Sequence, residues 1–224
     1  EVEDLYRPYK QKRRTRATIA REKGLEPLAL LLLAQEKNGP APEDAAGAYL
    51  DPEKGVETAA DALQGANDII AELLSDDADL RKALRGLLMR QGHLRSVAAK
   101  EEDSVYRLYY DFDQPLPRLA GHQILAVNRG EKEGFLSVAV LLEREAALHA
   151  LRTAVVKPGT PAAEFVAAAC EDAYDRLIYP SLEREARSAL TDTANEGAIG
   201  QFALNLKPLL MQPPVKGHVT MGLD

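Results

Sequence analysis

Apolar residues recur at three- and four-residue spacing along most of this 224-residue chain, and this period constrains the fold more than any other feature. Such spacing places apolar side chains on one face of an α-helix, whereas a half-buried strand alternates every second residue. The clearest segment starts at Thr58, a typical capping residue, and runs to Leu74. The same pattern predicts helices after Thr15, from Leu25 and from about residue 80 to Arg95. The fold class we expect is therefore all-α.

The second half of the chain continues this pattern with one ambiguous segment. Helices are predicted over 119–128 and 143–153, and again from Pro161, with Thr160 as the cap. Residues near 135–142 are rich in Val and Leu, and they fit either a short β segment or a buried helix. Because the composition changes to aromatic and Pro-rich at Val105, we expect two helical regions, 1–104 and 105–218.

Several classes of chemistry lack their sequence signatures. The single cysteine, Cys170, excludes a disulfide framework, and its apolar helical surroundings predict an inert core position. The four histidines are far apart, and neither a nucleophile elbow nor a phosphate-binding loop occurs. We therefore expect no enzyme activity, no metal and no cofactor.

Membrane and targeting signals are also lacking in the sequence. No apolar run reaches the roughly 18 residues of a membrane-spanning helix, so we expect no membrane partner. The first residues do not have the basic-then-apolar pattern of a signal peptide. The expected location is cytoplasmic.

Charge is sorted along the chain, so the formal net charge of −7 describes it poorly. Residues 7–23 carry eight cations against one acid, residues 43–79 carry eleven acids against Lys54, and residues 81–100 are basic again. Because surface potential depends on such blocks, the net charge does not exclude a nucleic-acid partner.

The first basic block is a candidate phosphate-binding segment. Its cations surround a predicted helix start at Thr15, where free backbone N–H groups also attract anions. The candidate nucleic-acid-binding residues here are Lys10, Lys12, Arg13, Arg14 and Arg16. The alternative is that these cations pair with the acidic block 43–79 of the same chain.

The second basic block predicts a basic face on one helix. With about 100° of rotation per residue and Arg81 at 0°, Arg85 lies at about 40°, Lys82 at about 100° and Arg95 at about 320°, whereas Arg90 lies off this face at about 180°. Four leucines lie between about 220° and 300°: Leu80, Leu84, Leu87 and Leu94. The candidate residues are Arg81, Lys82, Arg85 and Arg95. A solvated face without a ligand is the alternative.

Three clustered tyrosines follow, and they could stack on bases or pack in the core. They are Tyr106, Tyr109 and Tyr110. Core packing is the expectation that we favour.

Four ordered blocks of sequence resemble the N-terminal region of the bacterial Tex family, which consists of transcription accessory proteins. The first is Asp4–Ala20, which is followed by Gly24–Leu28. The others are His122–Glu131, Arg176–Arg187, and Asn205–Leu210 with Pro213 and Pro214. This resemblance extends over essentially the whole chain.

The resemblance implies a mostly helical scaffold with helix-turn-helix-like elements, within a transcription factor that binds RNA or DNA. In Tex-like proteins a segment like Val219–Asp224 opens a ribonuclease-H-like YqgF domain, so we expect a fragment that ends in the first strand of that domain. Modules that bind nucleic acid follow in the relatives. Contact with RNA or DNA would then occur mainly outside this chain.

The function predicted from the sequence is a non-catalytic helical scaffold of a nucleic-acid-binding transcription accessory protein. One alternative is a protein-interaction module that docks on RNA polymerase or on sister domains, and hence on the transcription machinery. A second alternative, suggested only by Asp224, is part of a nuclease-related enzyme.

Overall fold

Helices make up most of the chain in the computed structural model, which describes residues 14–213, 216–217, 219 and 221–222. The first five are α1 (Arg16–Glu22), α2 (Glu26–Ala34), α3 (Pro42–Ala46), α4 (Ala59–Asp76) and α5 (Ala78–Gln91). The others are α6 (Gly121–Lys132), α7 (Arg144–Val155), α8 (Ala163–Asp172) and α9 (Tyr179–Leu210), and a π-helical segment, Ala173–Ile178, joins α8 to α9. The mostly-α prediction is confirmed.

A small antiparallel sheet completes the fold. Its strands are β1 (His93–Ala98), β2 (Asp111–Pro115) and β3 (Leu136–Leu141), in the order β2–β1–β3. The segment near 135–142 is therefore a strand. Leu94 and Ser96 face the core, whereas the alternate residues of β1 are exposed.

The helix predicted to continue to Arg95 is shorter, so the prediction of its end was wrong. It ends at Gln91, where the N–H of Gly92 donates a 2.7 Å hydrogen bond to the Leu88 carbonyl and the backbone turns extended. Arg95 lies in β1, opposite Asp113 of β2 and Ala139 of β3.

The helix starts predicted at Thr15 and Thr58 are confirmed, whereas the cap predicted at Thr160 is wrong. Helix α8 begins at Ala163 after Ala162, and the Thr160 hydroxyl donates to the Lys157 carbonyl instead of accepting from the helix. The Thr15 side chain accepts a hydrogen bond from the Thr18 N–H, and Thr58 forms a reciprocal capping box with Asp61. These contacts satisfy backbone donors that the first helical turn leaves without partners. The helical chain continues through Pro180 without a break. The π-helical turn before it, with the Tyr179 N–H bonded to the Tyr174 carbonyl, accommodates the missing donor.

Helix α4 is the centre of the molecule and is packed on nearly every side. It contacts α1, α2, α3 and α8 as well as the π-helical segment. Most of the buried apolar residues form one cluster that extends from Ala17 in α1 to Ala186 in α9. The boundary expected between residues 104 and 105 falls between β1 and β2, which pair in the same sheet.

Helix α9 is packed only along its first half. This half packs on the part of the fold before residue 179, which we call the body, and contacts α6, β3 and the π-helical segment there. Its buried residues are Leu182, Ala186 and Ala194. From residue 195 to residue 210 every position is exposed. The second half of α9 therefore extends beyond the core.

Close packing of α4 against the first two helices makes a stability prediction. A Cβ at Gly65 would overlap Leu25 Cδ1 and lie 3.3 Å from the Ala20 Cβ, whereas a Cβ at Gly200 of α9 meets nothing within 4 Å. We expect Gly65→Ala to destabilise the fold by about 1–3 kcal/mol through overpacking. Gly200→Ala, the matched control, removes a helix-interior glycine at an open position and should cost nothing. Urea denaturation followed by circular dichroism measures both, and equal stability of the two variants would contradict this packing.

Candidate nucleic-acid interface

The first basic block is held to the centre of the fold through one buried carboxylate. Glu72 of α4 accepts hydrogen bonds from Thr15 Oγ1 at 3.0 Å and from Arg21 Nη1 at 2.6 Å. Arg21 also lies 3.4 Å from Glu26, and Lys23 Nζ donates to the Gly55 carbonyl at 2.8 Å. Arg21, which was not one of the candidate residues, therefore pairs with the acidic block 43–79.

The remaining cations of this block lie at the surface or outside the described residues. The Arg14 side chain is 69% exposed and forms a 2.7 Å ion pair with Glu22, and Arg16 is exposed beside it at the start of α1. Lys10, Lys12 and Arg13 lie outside the described residues. Phosphate contact by this segment stays a prediction.

Helix α5 does not have the coherent basic face that the sequence predicts. Its buried face consists of Arg81, Leu84 and Leu88, so the first candidate arginine points into the molecule and is fully buried. Arg85 is half-buried, and Lys82 is exposed. The helical-wheel prediction was wrong because Leu88 lies about 20° from Arg81, which places Arg81 inside the apolar arc.

The two inward-facing arginines of α5 converge on a single carboxylate of α9. Glu185 accepts hydrogen bonds from Arg81, and from Arg85 Nη2 at 2.8 Å, while Ser181 Oγ lies 3.2 Å from Arg81 Nη2. Burial acts to raise the pKa of Glu185. The hydrogen bond from Arg85 and the charge of Arg81 outweigh burial, so the pKa lies below its usual value. This ion-pair cluster joins α9 to α5.

The aromatic residues after β1 pack in the core or form hydrogen bonds within the loop. Tyr106 is buried with its ring 6.0 Å from that of Phe135, and Tyr109 packs edge-on against Phe112 at 5.3 Å. The Tyr110 hydroxyl is 2.8 Å from Ser104 Oγ. Core packing, the expectation that we favoured for these tyrosines, is confirmed for Tyr106 and Tyr109.

The exposed face of the sheet carries mixed charge. Arg95 lies opposite Asp113 in the register, and Asp113 Oδ1 is 2.6 Å from Nδ1 of His93. Arg95 therefore lies opposite an acidic residue, and it is far in sequence from the cations at the start of α1.

The second half of α9 carries an apolar surface that the sequence analysis did not identify. Its large side chains are spaced so that they lie within an arc of about 100° on the helix. They are Ile199, Phe202, Leu206, Leu209 and Leu210, and all are exposed. The spacing is readable from the sequence, but only the structure shows that the described part of the protein leaves this stripe uncovered.

Three further observations limit the chemistry of the described residues. None of their His, Cys, Asp and Glu side chains form a group of three or more that could hold a metal ion. No described helix is both long and apolar enough to cross a membrane. Cys170 is buried, and burial raises the pKa of its thiol to about 11, which confirms the expected core position.

Comparison with known proteins identifies relatives along the entire chain. Residues 37–202 match the family described as Tex central region-like. The Bacillus subtilis (strain 168) protein YdcI is 43% identical over 231 residues, which include all of this chain and 32% of the relative. The Neisseria gonorrhoeae protein named transcriptional accessory protein Tex is 36% identical, with 100% of this chain and 30% of its own length covered.

A human protein, S1 RNA-binding domain-containing protein 1, is 33% identical over 242 residues, which cover all of this chain and 24% of the relative. The chain therefore spans about a quarter to a third of the length of these three relatives. Most of the length of each relative lies outside the matched region.

The cluster at Glu185 predicts a pH-dependent stability. Glu185→Gln removes the carboxylate that pairs with the buried Arg81 guanidinium, so we expect the free energy of unfolding to fall by about 1–3 kcal/mol at pH 7. This range is kept modest because Glu185 is partly exposed. Because the folded-state pKa is lowered, this contribution is present above the unfolded-state pKa and disappears as the pH falls through the folded-state value. The difference between variant and wild type should therefore shrink in acid. Urea denaturation at several pH values measures it, with the exposed Glu196→Gln as control, and a difference independent of pH would contradict the assignment.

Proposed function

The chain belongs to the Tex family, and from this premise we propose that it is a non-catalytic helical scaffold in a nucleic-acid-binding transcription accessory protein. Its role is to hold nucleic-acid-binding modules at fixed positions. The names of the gonococcal and human relatives, one a transcriptional accessory protein and the other an S1 RNA-binding domain protein, support the nucleic-acid part.

The observation that carries the scaffold proposal is that α9 is anchored in the body along its first half and extends into solvent along its second half. Its first half is fixed by the single apolar core and by the Glu185 cluster, and the same 32-residue helix then continues into solvent. A helix rises by about 1.5 Å per residue, so the sixteen exposed residues extend about 24 Å. A rod anchored at one end transmits the orientation of the body to whatever is attached at the other end.

A second, smaller contribution to the proposed function is sequence-independent phosphate contact. Arg14 and Arg16 are exposed at the start of α1, next to the basic residues Lys10, Lys12 and Arg13 in the sequence. Lys82 and Arg95 are also exposed, whereas the buried Arg81 is unsuited to a phosphate at the surface. The contact that we propose is therefore centred on the first basic block.

The rigid-rod proposal predicts that a kink in α9 weakens nucleic-acid binding. The test uses a Tex-family polypeptide that is as long as the relatives. In this polypeptide, which we call the long polypeptide, the present chain is the region that matches them. Gly200→Pro removes a helix hydrogen bond at a position where a side chain meets nothing, at a cost of about 3 kcal/mol to the helix. Fluorescence anisotropy with single-stranded RNA should show several-fold weaker binding, because modules on a kinked rod lose effective concentration. Gly200→Ala is the matched control, and identical affinity of the two variants would exclude the rod.

The phosphate proposal makes a separate prediction about salt. Replacement of Lys12, Arg13, Arg14 and Arg16 by Ala in this chain should weaken low-salt binding to RNA or DNA and flatten the salt dependence by up to about 4 units of slope. The control removes four exposed cations elsewhere, Lys37, Arg90, Arg118 and Lys132, for the same change in net charge. Anisotropy titrations between low and physiological salt measure the slopes. If both variants have the same slope, only net charge matters and the site is wrong.

A further inference from the structure

The second half of α9 is apolar on two sides, and the polar side chains of Gln201 and Asn205, which share a 3.3 Å hydrogen bond, lie between those sides. The stripe of Ile199, Phe202, Leu206, Leu209 and Leu210 covers one face, with exposures from 37% at Leu206 to 73% at Leu210. Leu204, 70% exposed, lies on the opposite side of the helix. A helix that is apolar on several sides is stable only when protein surrounds it, because the exposed apolar area costs free energy in water.

Charge is confined to one narrow strip of the same helix. Between residues 195 and 211 the only charged residues are Glu196 and Lys207. Eleven positions apart, they lie within about 20° of each other on the helix. This strip is the side of α9 that remains suited to water when the other sides are covered.

The chemistry of the surface selects the class of partner. Nucleic acid binds through cations that neutralise phosphates, and one lysine in seventeen residues offers too little charge for that. A large exposed apolar surface instead marks contact with protein. The partner is therefore an apolar protein surface.

An apolar groove lies where the second half of α9 begins, and it continues the apolar stripe of that helix. It lies between α6 and α9, and Leu125, Leu190, Ala194 and Ala198 are among the residues that line it. Gly121 of α6 brings the two backbones close there, since a Cβ at this position would lie 3.4 Å from the Ala194 Cα. Ala198 borders the stripe, so one partner can contact groove and stripe together.

We propose that this half of α9 is enclosed by an apolar surface from the part of a Tex-family polypeptide that lies outside the matched region. The curated relatives have about two thirds or more of their length outside that region, so a partner in the same polypeptide is at high effective concentration. The inference rests on the proposed scaffold function and names what the scaffold holds. The strip with Glu196 and Lys207 stays in contact with water.

Cysteine accessibility tests the enclosure directly. Phe202→Cys, Leu204→Cys and Lys207→Cys are compared in this chain and in the long polypeptide, with maleimide labelling read by peptide mass spectrometry. Cys170 is buried with a raised pKa and contributes little background. In this chain we expect similar rates at all three positions. In the long polypeptide, labelling at 202 and 204 should slow by about tenfold or more while Lys207→Cys changes by less than about twofold.

A second measurement uses proteins without substitutions, because the cysteine substitutions could themselves prevent docking. Amide hydrogen exchange of the unsubstituted proteins should be at least about tenfold slower for residues 199–210 in the long polypeptide than in this chain. Equal labelling and equal exchange in the two proteins would overturn the proposal. Protection that appears in this chain alone and grows with its concentration would also overturn it, in favour of a second copy as the occupant. These readouts need no nucleic acid, so their failure is distinguishable from failure of the kinked-rod experiment.

Discussion

The arrangement of the body depends on two carboxylates that α4 carries into its own buried surroundings. Asp68 and Glu72 are each only 8% exposed, and a buried carboxylate is tolerated only when it is paired. Glu72 is paired by α1 through Arg21, and Asp68 by the π-helical segment through Arg176 at 3.0 Å. The requirement to pair two charges on one helix thus fixes the position of the chain's first described helix and of the turn that precedes α9.

Arg176 also shows how one cation is divided between two acids. It binds Asp172 through two hydrogen bonds, at 2.6 and 2.9 Å, and these lower the pKa of Asp172. Asp68 receives a single hydrogen bond from Arg176, and burial outweighs the attraction of that cation, so the pKa of Asp68 is raised. Stability contributed by Asp172 is lost toward acid, whereas stability linked to Asp68 is lost as the pH rises through its folded-state pKa. The start of α9 is therefore held by groups with opposed pH dependences.

The sequence predicted the helices well and the sheet poorly, for a physical reason. Helix starts with a capping residue, such as Thr15 and Thr58, are local, and the apolar period of α4 is long enough to be unambiguous. The strand β1 follows α5 directly, and Leu94 continues the helical spacing, so only the turn at Gly92 and the short alternation after it indicate a strand. Within the site, the helical phase of Leu88 indicates that Arg81 faces inward, but the partner of Arg81 could not be predicted because Glu185 lies 104 residues away.

Ion pairs join elements within the body, whereas large apolar side chains are exposed on the second half of α9. In the body, cations from both basic blocks, which look like external interaction surfaces in the sequence, pair with acids of the same chain, as Arg21 does with Glu72 and Arg81 with Glu185. Beyond the body, α9 has almost no charge and exposes large apolar side chains. Internal ion pairs fix the geometry of the base from which α9 projects, because they require defined partners in defined directions. Apolar contact is non-directional, so the orientation of anything that docks on the rod is determined by the shape and angle of the rod rather than by charge.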